Sequence, residues 1–333
     1  MRIFVTGAAG YIGGTFCFEM LKKGFSVLGC DNFSNSTEIG IRKLQKRFPN
    51  FFFKKIDLCE KKRIFNLMQK NKIDTVAHFA ALKSVPVSEI HPEKYWKNNV
   101  DGTKNLLEAM SKNAIRYLIY SSSAAVYGNA TVQPVQETYT PNPESVYGKT
   151  KVECENLIKK WSINGNKAVV LRYFNPLGSH EEMLFIDNPF SDHGNVISSI
   201  LKTSFGKSEF FPIFGENYDT ADGSGERDYI HVADLIEGHF AALLYLEKQN
   251  INYDIFNLGT GRSSSVKELI KKFEEVTGLK IKTKILKKRK GDLSVSYADC
   301  RKSNKILGWK CKRGISEMCL DAYDSVKKNL DEL

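Results

Sequence analysis

The first half of the chain alternates short apolar, β-rich runs with longer stretches of mixed apolar and charged positions. Ile3-Phe4-Val5, Ser26 to Cys30, Asn50 to Ile56, Thr75 to Phe79, Tyr117 to Tyr120 and Ala168 to Leu171 read as strands. Several are apolar throughout, as strands covered on both faces are. Between them, helical spacing predicts helices over Ile12–Lys23, where Gly24 stops the turn, and near 60–70, 93–113 and 146–162. Strands separated by helices predict a parallel sheet covered on both faces, a Rossmann-type doubly wound α/β domain. After about residue 175 glycine, aspartate, proline and aromatics thicken through 176–228, which predicts long loops. Helical spacing returns at 233–247, 265–277 and 314–329, with short strands near 253–258 and 281–286. The chain shows no repeat and no low-complexity linker. The expected division is therefore a dinucleotide-binding domain over 1–175 and a smaller α/β lobe over 176–333 packed on it, some of whose elements return to the first domain.

Composition changes this picture little. Of 333 residues 42% are hydrophobic and 26% charged, which excludes wholesale disorder and leaves a core that needs neither disulfide nor metal. No apolar run approaches the roughly 18 residues that would span a bilayer. Met1-Arg2-Ile3-Phe4-Val5 leads straight into glycines and not into a signal peptide, so the expected compartment is the cytoplasm. Cys17, Cys30, Cys59, Cys154, Cys300, Cys311 and Cys319 are scattered, with no C-x-x-C pair. They predict buried free thiols and no metal site. The net charge of +11, from 49 Lys+Arg against 38 Asp+Glu, invites a polyanionic partner. Yet the lysines are spread along the chain, and the densest cluster, Lys287-Lys288-Arg289-Lys290, is short. Nucleic acid is not an expected partner.

Candidate chemistry begins directly after the first strand. Gly7, Gly10 and Gly13 form G-x-x-G-x-x-G at the mouth of the first helix. Gly7 permits the tight turn, Gly10 lets backbone approach a pyrophosphate, and Gly13 lets helix pack on sheet. Phosphates then meet free N–H groups and the positive end of the helix dipole. Asp31 ends the second strand, 18 residues after Gly13, where a carboxylate accepts the adenine-ribose hydroxyls. It repels a 2′-phosphate, and Asn32-Phe33-Ser34-Asn35-Ser36 offers no arginine to receive one, so NAD is expected over NADP. Asp57 and Leu58, after the third strand, could hold the adenine edge.

A second constellation lies in Tyr147-Gly148-Lys149-Thr150-Lys151. Tyr147 and Lys151 are four apart at a helix start and share a face. A tyrosine with pKa near 10 is a poor base at neutral pH, and a neighbouring ammonium lowers that value. The pair then suits proton transfer at a hydroxyl. Ser121-Ser122-Ser123 supplies hydroxyls at the C-terminal end of a strand, where ligands collect in such sheets.

Taken in order, these segments resemble the extended short-chain dehydrogenases/reductases, and within them the UDP-glucose (UDP-galactose) 4-epimerase family. The resemblance runs from Arg2 to about Trp309. It is carried by T-G-A-A-G-Y-I-G (6–13), D-N-F-S-N-S (31–36), H-F-A-A-L-K (78–83), N-N-V-D-G-T (98–103), S-S-S-A-A-V-Y-G (121–128), Y-G-K-T-K (147–151), L-R-Y-F-N-P-L-G (171–178), D-G-S-G-E-R-D-Y-I-H-V (222–232) and R-K-G-D-L (289–293). It implies Tyr147 as acid/base, Lys151 as the group that tunes it and binds the nicotinamide ribose, and Ser123 as partner of the reacting sugar hydroxyl. It implies NAD contacts from the glycine loop with Tyr11 and Ile12, from Asp31, Asn32, Phe33, Ser34, Asn35 and Ser36, and from Asp57 and Leu58. Further contacts are implied from Phe79, Ala80, Ala81, Lys83, Asn98 and Phe174. The UDP-sugar would meet Lys83, Asn175, Asn195, Val196, Arg227, Arg289, Asp292 and Ser296, with Arg227 and Arg289 suited to a diphosphate. The implied reaction inverts C4 of a UDP-hexose through a transient 4-keto sugar, with tightly bound NAD regenerated at each turnover. A homodimer through the helices near 93–113 and 146–162 is implied as well.

Related nucleotide-sugar 4,6-dehydratases carry an Asp-Glu pair after the serine or threonine, where this chain has Ala124-Ala125. Dehydration is therefore disfavoured, as is a purely NAD-sensing protein, which has no use for Ser123, Tyr147 and Lys151 together. The glycine loop departs from the family by Gly13-Gly14-Thr15 where Ser-His follows the glycine, and Pro86 replaces a glycine after Lys83. Ser296 stands where strict glucose/galactose epimerases carry a tyrosine. That exchange leaves room for an N-acetyl group and predicts acceptance of UDP-GlcNAc/UDP-GalNAc.

Overall fold

The computed structural model describes residues 1–191, 195–249, 251–289 and 292–333. Lys290 and Gly291, part of the basic cluster and of the R-K-G-D-L segment, lie outside the described residues. Strands β1 (Arg2–Thr6), β2 (Ser26–Asp31), β3 (Phe51–Lys55), β4 (Thr75–His78), β5 (Tyr117–Ser123) and β6 (Lys167–Tyr173) stand in the order 3-2-1-4-5-6. Every pairing among them is parallel. The shorter strands are β7 (Asn175–Leu177), β8 (Phe211–Phe214), β9 (Glu226–Arg227), β10 (Tyr229–His231), β11 (Tyr253–Leu258), β12 (Ser264–Ser265), β13 (Thr283–Leu286) and β14 (Val295–Ser296). Of these, β11 pairs in parallel with β6 as the seventh strand of the main sheet. The rest make small sheets, β7 with β10, β8 with β13, and β9 between β12 and β14.

The helices are α1 (Tyr11–Lys22), α2 (Ile39–Arg47), α3 (Lys61–Lys70), α4 (Val85–Ile90), α5 (Pro92–Tyr95), α6 (Gly102–Lys112), α7 (Val146–Ser162), α8 (Val196–Ser204), α9 (Val232–Lys248), α10 (Val266–Thr277) and α11 (Ile315–Lys328). The continuous apolar strands follow from helices on both faces. Val76, Leu118 and Val170 pack on one side with Ile64 of α3, Leu106 of α6 and Ile158 of α7. Ala77, Ile119 and Val169 pack on the other with Phe16 of α1 and Leu243 of α9. A separate core of Ile200, Phe211, Leu269, Phe273 and Val326 joins α8, β8, α10 and α11.

One expected helix is built differently. The stretch near 93–113 consists of α5, a π-helical turn over Trp96–Asp101 and α6. The wider turn brings Asn99 inward, as such bulges at working sites do. Its side chain donates to Leu82 O and Thr150 Oγ1, both at 3.1 Å, and accepts from Leu82 N at 2.8 Å. The buried amide ties the loop after β4 to the first turns of α7.

Candidate active site

The glycine loop joins β1 to α1. Gly7 has φ +69°, and a Cβ there would lie 2.7 Å from Ala80 N, so only glycine fits. A Cβ on Gly13 would lie 2.2 Å from Gly7 O, which explains the glycine inside the first turn of α1. No side chain caps α1, whose Ncap is Gly10, and no acid occupies its first turn. Its N–H groups are left for an anion. Asp31, at the end of β2, accepts from Ala9 N (3.1 Å), Phe33 N (2.8 Å) and Ser36 Oγ (3.0 Å). One carboxylate thus fixes both the glycine loop and the 31–36 loop. Asp57 takes Asn32 Nδ2 at 2.8 Å and Cys59 N at 2.7 Å. Burial opposes its charge, but these hydrogen bonds prevail and hold the carboxyl below its usual value.

These elements enclose a cavity of about 550 Å³, within the range of small-molecule sites. Of the residues named from sequence it gathers Gly7, Gly10 to Gly13, Asp31 to Ser36, Asp57, Leu58, Phe79 to Ala81, Lys83, Asn98, Tyr147 and Lys151. The donor set fits a dinucleotide. It offers an open helix N-terminus for phosphates, an acid at the end of β2, and no arginine from 32 to 37 to favour a 2′-phosphate.

Sequence reasoning missed part of the wall. Tyr173 and the segment Leu184 to Asn188, with Ser191, line the same cavity, as do Glu332 and Leu333. Tyr173 was findable as the last residue of a central strand, whereas the 184–191 loop carries no periodic signal. Its seat is the ring of Phe185, which would lie 2.2 Å from a Cβ on Gly14 and 2.4 Å from one on Gly40. The Gly14 departure from the family thus has a physical partner. From this loop Asp187 reaches Lys83 Nζ at 2.6 Å and receives Asn195 Nδ2 at 3.0 Å.

At the cavity floor, α7 starts at Ser145, whose Oγ accepts from Gly148 N. This sets Tyr147 and Lys151 on the inner face, both buried. Lys151 Nζ donates to Ser121 O at 2.7 Å, above the ring of Tyr120 and 5.8 Å from the centre of the Tyr147 ring. One turn on, Glu155 pairs with Arg172 of β6 at 2.6 Å and accepts from Ser122 Oγ of β5. That buried pair locks α7 against two strands. Ser123 ends β5, accepts from Ala125 N at 3.1 Å and is not on the cavity lining. The ammonium was expected to lower the phenol's pKa, but burial dominates. It pushes Tyr147 well above its usual value, Tyr173 adds to this, and Ser123 offsets only part. Burial brings Lys151 down to about 8, against Cys154 and Glu155.

The remaining residues are not on this lining. Asp292 holds Arg227 Nη2 and Arg289 Nη2, each at 2.8 Å, and Arg289 lies over the Phe214 ring. Ser296 on β14 is in register with Arg227 on β9. Asn175 opens β7 and donates to Asp228 O, Asn195 caps α8, and Val196 is that helix's first residue. Phe174 packs among Val126, Tyr127 and Ala298, away from the cavity lining. All seven cysteines are free, with Cys59 and Cys311 only partly buried. Among the described residues no acid, histidine or thiol cluster could hold a metal ion, and no helix is long and apolar enough to cross a membrane.

Residues 3–259 match the NAD dependent epimerase/dehydratase family. The UDP-glucose 4-epimerase of Bacillus subtilis (strain 168) is 37% identical over 99% of this chain and 98% of its own. The UDP-glucose-4-epimerase of Stenotrophomonas maltophila, crystallised with bound NAD and formylated UDP-arabinopyranose, superposes with a TM-score of 0.96 at 37% identity over 100% of both chains. The Bifidobacterium longum enzyme in complex with NAD+ and UDP gives 0.94 at 34% identity, again over 100% of both. The chain belongs to the UDP-glucose 4-epimerase family of extended short-chain dehydrogenases/reductases.

Proposed function

We propose that this protein interconverts UDP-glucose and UDP-galactose by inversion at C4, with NAD retained between turnovers. The observation that carries the reading is the convergence of Tyr147, Lys151 and Lys83 on the cavity that also holds the glycine loop and Asp31. When bound, the nicotinamide supplies a reversible hydride acceptor. The 1–175 body holds the dinucleotide through Gly7 to Gly13 and Asp31, and the 176–333 lobe holds the UDP-sugar. Tyr147 Oη takes the proton of the C4 hydroxyl and later returns it. Ser123 orients that hydroxyl, and the Lys151 ammonium stabilises the phenolate. Arg227 and Arg289 clamp the diphosphate, leaving the hexose loosely held so that either face can be presented. Ala124 and Ala125 form the turn after Ser123 and offer no acid for loss of the C6 hydroxyl.

Incubating the purified protein with UDP-galactose, without added NAD, is expected to yield UDP-glucose. No product under those conditions defeats the reading. A second substrate is favoured by Ser296, whose small side chain stands in register with the diphosphate clamp. UDP-GalNAc is expected to turn over, and Ser296→Tyr to abolish that activity first. Unchanged selectivity in the variant rules it out. The homodimer would form through the helices near 93–113 and 146–162, on which Trp96 is exposed, with a dimer mass in sedimentation as its check. The cytoplasm, where seven unpaired thiols stay reduced, is the proposed compartment.

A further inference from the structure

His78 closes β4 and is buried between two hydroxyls that are buried as well, Thr6 of β1, its partner in register, and Thr103 of α6. Its Nδ1 lies 2.7 Å from Thr6 Oγ1 and its Nε2 2.9 Å from Thr103 Oγ1. The proton positions follow from the far end. Thr103 Oγ1 stands 2.6 Å from Asn99 O, and a carbonyl only accepts, so the hydroxyl gives its one proton there. Toward the ring Thr103 is then an acceptor, and Nε2 must carry the ring proton. Burial, with the nearby Lys151 charge, holds the imidazole pKa down to about 3, so the ring stays neutral and Nδ1 is a lone pair. Thr6 donates to that lone pair, and Thr6 Oγ1 in turn accepts from Ala80 N at 3.2 Å.

All four bonds point one way, from Ala80 N through Thr6, His78 and Thr103 to Asn99 O, as a chain whose members polarise one another does. Both ends reach walls of the cofactor cavity. Thr6 leads into Gly7, which lies so close to Ala80 that no Cβ fits between them, and Phe79 to Ala81 line the cavity. At the other end Asn99 stands in the π-helical turn next to Asn98, which lines the cavity too. From Asn99 the side-chain amide continues to Thr150 Oγ1, which donates to Tyr147 O at 2.7 Å. A leucine at position 78 would fill the same space and break this link in the middle.

We propose that His78 is a positioning residue for the cofactor, whose Nε2–H tautomer ties the glycine loop and the 79–81 segment to the π-helical turn that carries Asn98, so that three walls hold the dinucleotide as one unit. This rests on the reading of the cavity as an NAD site. His78 neither touches the cofactor nor moves a proton in this scheme. It acts through Thr6 on one side and Thr103 on the other.

The test uses holoenzyme as purified and follows the half-time of NAD loss during dialysis, with thermal unfolding recorded in parallel. Thr6→Val and Thr103→Val keep the shape and remove one hydroxyl each, and each is expected to release NAD about tenfold faster. Thr6→Ser and Thr103→Ser restore the hydroxyl and are expected to release at close to the wild-type rate. The double variant Thr6→Val/Thr103→Val is expected to fall short of the product of the singles, because either cut opens the same chain. Leu269→Ala, in the separate core of α8, β8, α10 and α11, is expected to lower the thermal midpoint without changing release. Wild-type release in both valine variants overturns the proposal, as does a double variant whose effect is the product of the singles. Equal acceleration in Leu269→Ala overturns it too, since general loosening would then suffice. Should either valine variant not fold, unchanged release in His78→Gln, which keeps a donor for Thr103 and loses the acceptor for Thr6, overturns it alone. Release is read without turnover. Wild-type protein purified without NAD counts against the cavity reading, and protein inactive on UDP-galactose against the epimerase reading, while NAD-bearing, active protein with unchanged release in the variants counts against this inference only.

Discussion

Burial acts on Tyr147 and Lys151 in opposite senses, lifting the phenol and depressing the ammonium, and both shifts oppose the ion pair that proton transfer needs. The Lys151 charge is complete below its depressed value and lost as pH rises through it, so the rate is expected to fall above about pH 8. A profile flat to pH 10 would show that the ammonium is not the tuning group. Tyr147→Phe keeps the packing and removes the proton carrier. It is expected to retain the fold and bound NAD while losing about 10²–10⁴ in turnover, and a near wild-type rate refutes the role. At this scale the sequence was informative wherever a backbone constraint accompanied a side chain. Gly7 and Asp31 each had a spacing rule, and both sit on the cavity. Tyr173 had none, because a tyrosine at a strand end looks like ordinary core until the sheet brings it to the cavity wall.

At the scale of elements, helices and strands of the first half were legible because each is apolar on a regular period. The loop over 179–191 was not, since what holds it is a shape match between Phe185 and two glycines on different helices. That match reverses an ordinary rule. Replacing a helical glycine by alanine usually gains up to about 1 kcal/mol, but at Gly14 the new Cβ would stand 2.2 Å from the Phe185 ring. Overpacking of this kind costs about 1–3 kcal/mol. Gly14→Ala is therefore expected to lower the thermal midpoint, and the loss is expected to vanish in a Phe185→Leu background. Equal losses in both backgrounds would mean that the ring is not what excludes a side chain. The broken helix over 85–112 escaped the periodic pattern for a related reason: Asn99 turns inward for polar partners, and no hydrophobic count registers that.

For the molecule as a whole, the change of rhythm near residue 175 does not end the first body, because β11 and α9 lie beyond it. The first flanks β6, and the second lays Leu235, Leu243 and Leu246 into the core shared with α1. A fragment of residues 1–175 is expected to lack cooperative unfolding, because it exposes both that apolar face and the edge of β6. A sharp thermal transition in the fragment, followed by circular dichroism, would contradict this. Sequence could not place β11, since the partner of a strand depends on the order in the sheet and not on the strand's own residues.

The shared grip of Asp292 on Arg227 and Arg289 bears on how the protein responds to ionic strength. The two guanidinium groups proposed to clamp the diphosphate share one carboxylate, which cancels half their charge, and the other cations behind the +11 total are spread along the chain. Added salt screens charges separated by more than about 8 Å at physiological strength, while pairs in contact are screened far less. Recognition of the nucleotide should then rest on short, directional bonds and little on long-range attraction. The KM for the UDP-sugar is expected to drift only slightly across a salt titration that would strip a polyanion from a diffuse basic surface.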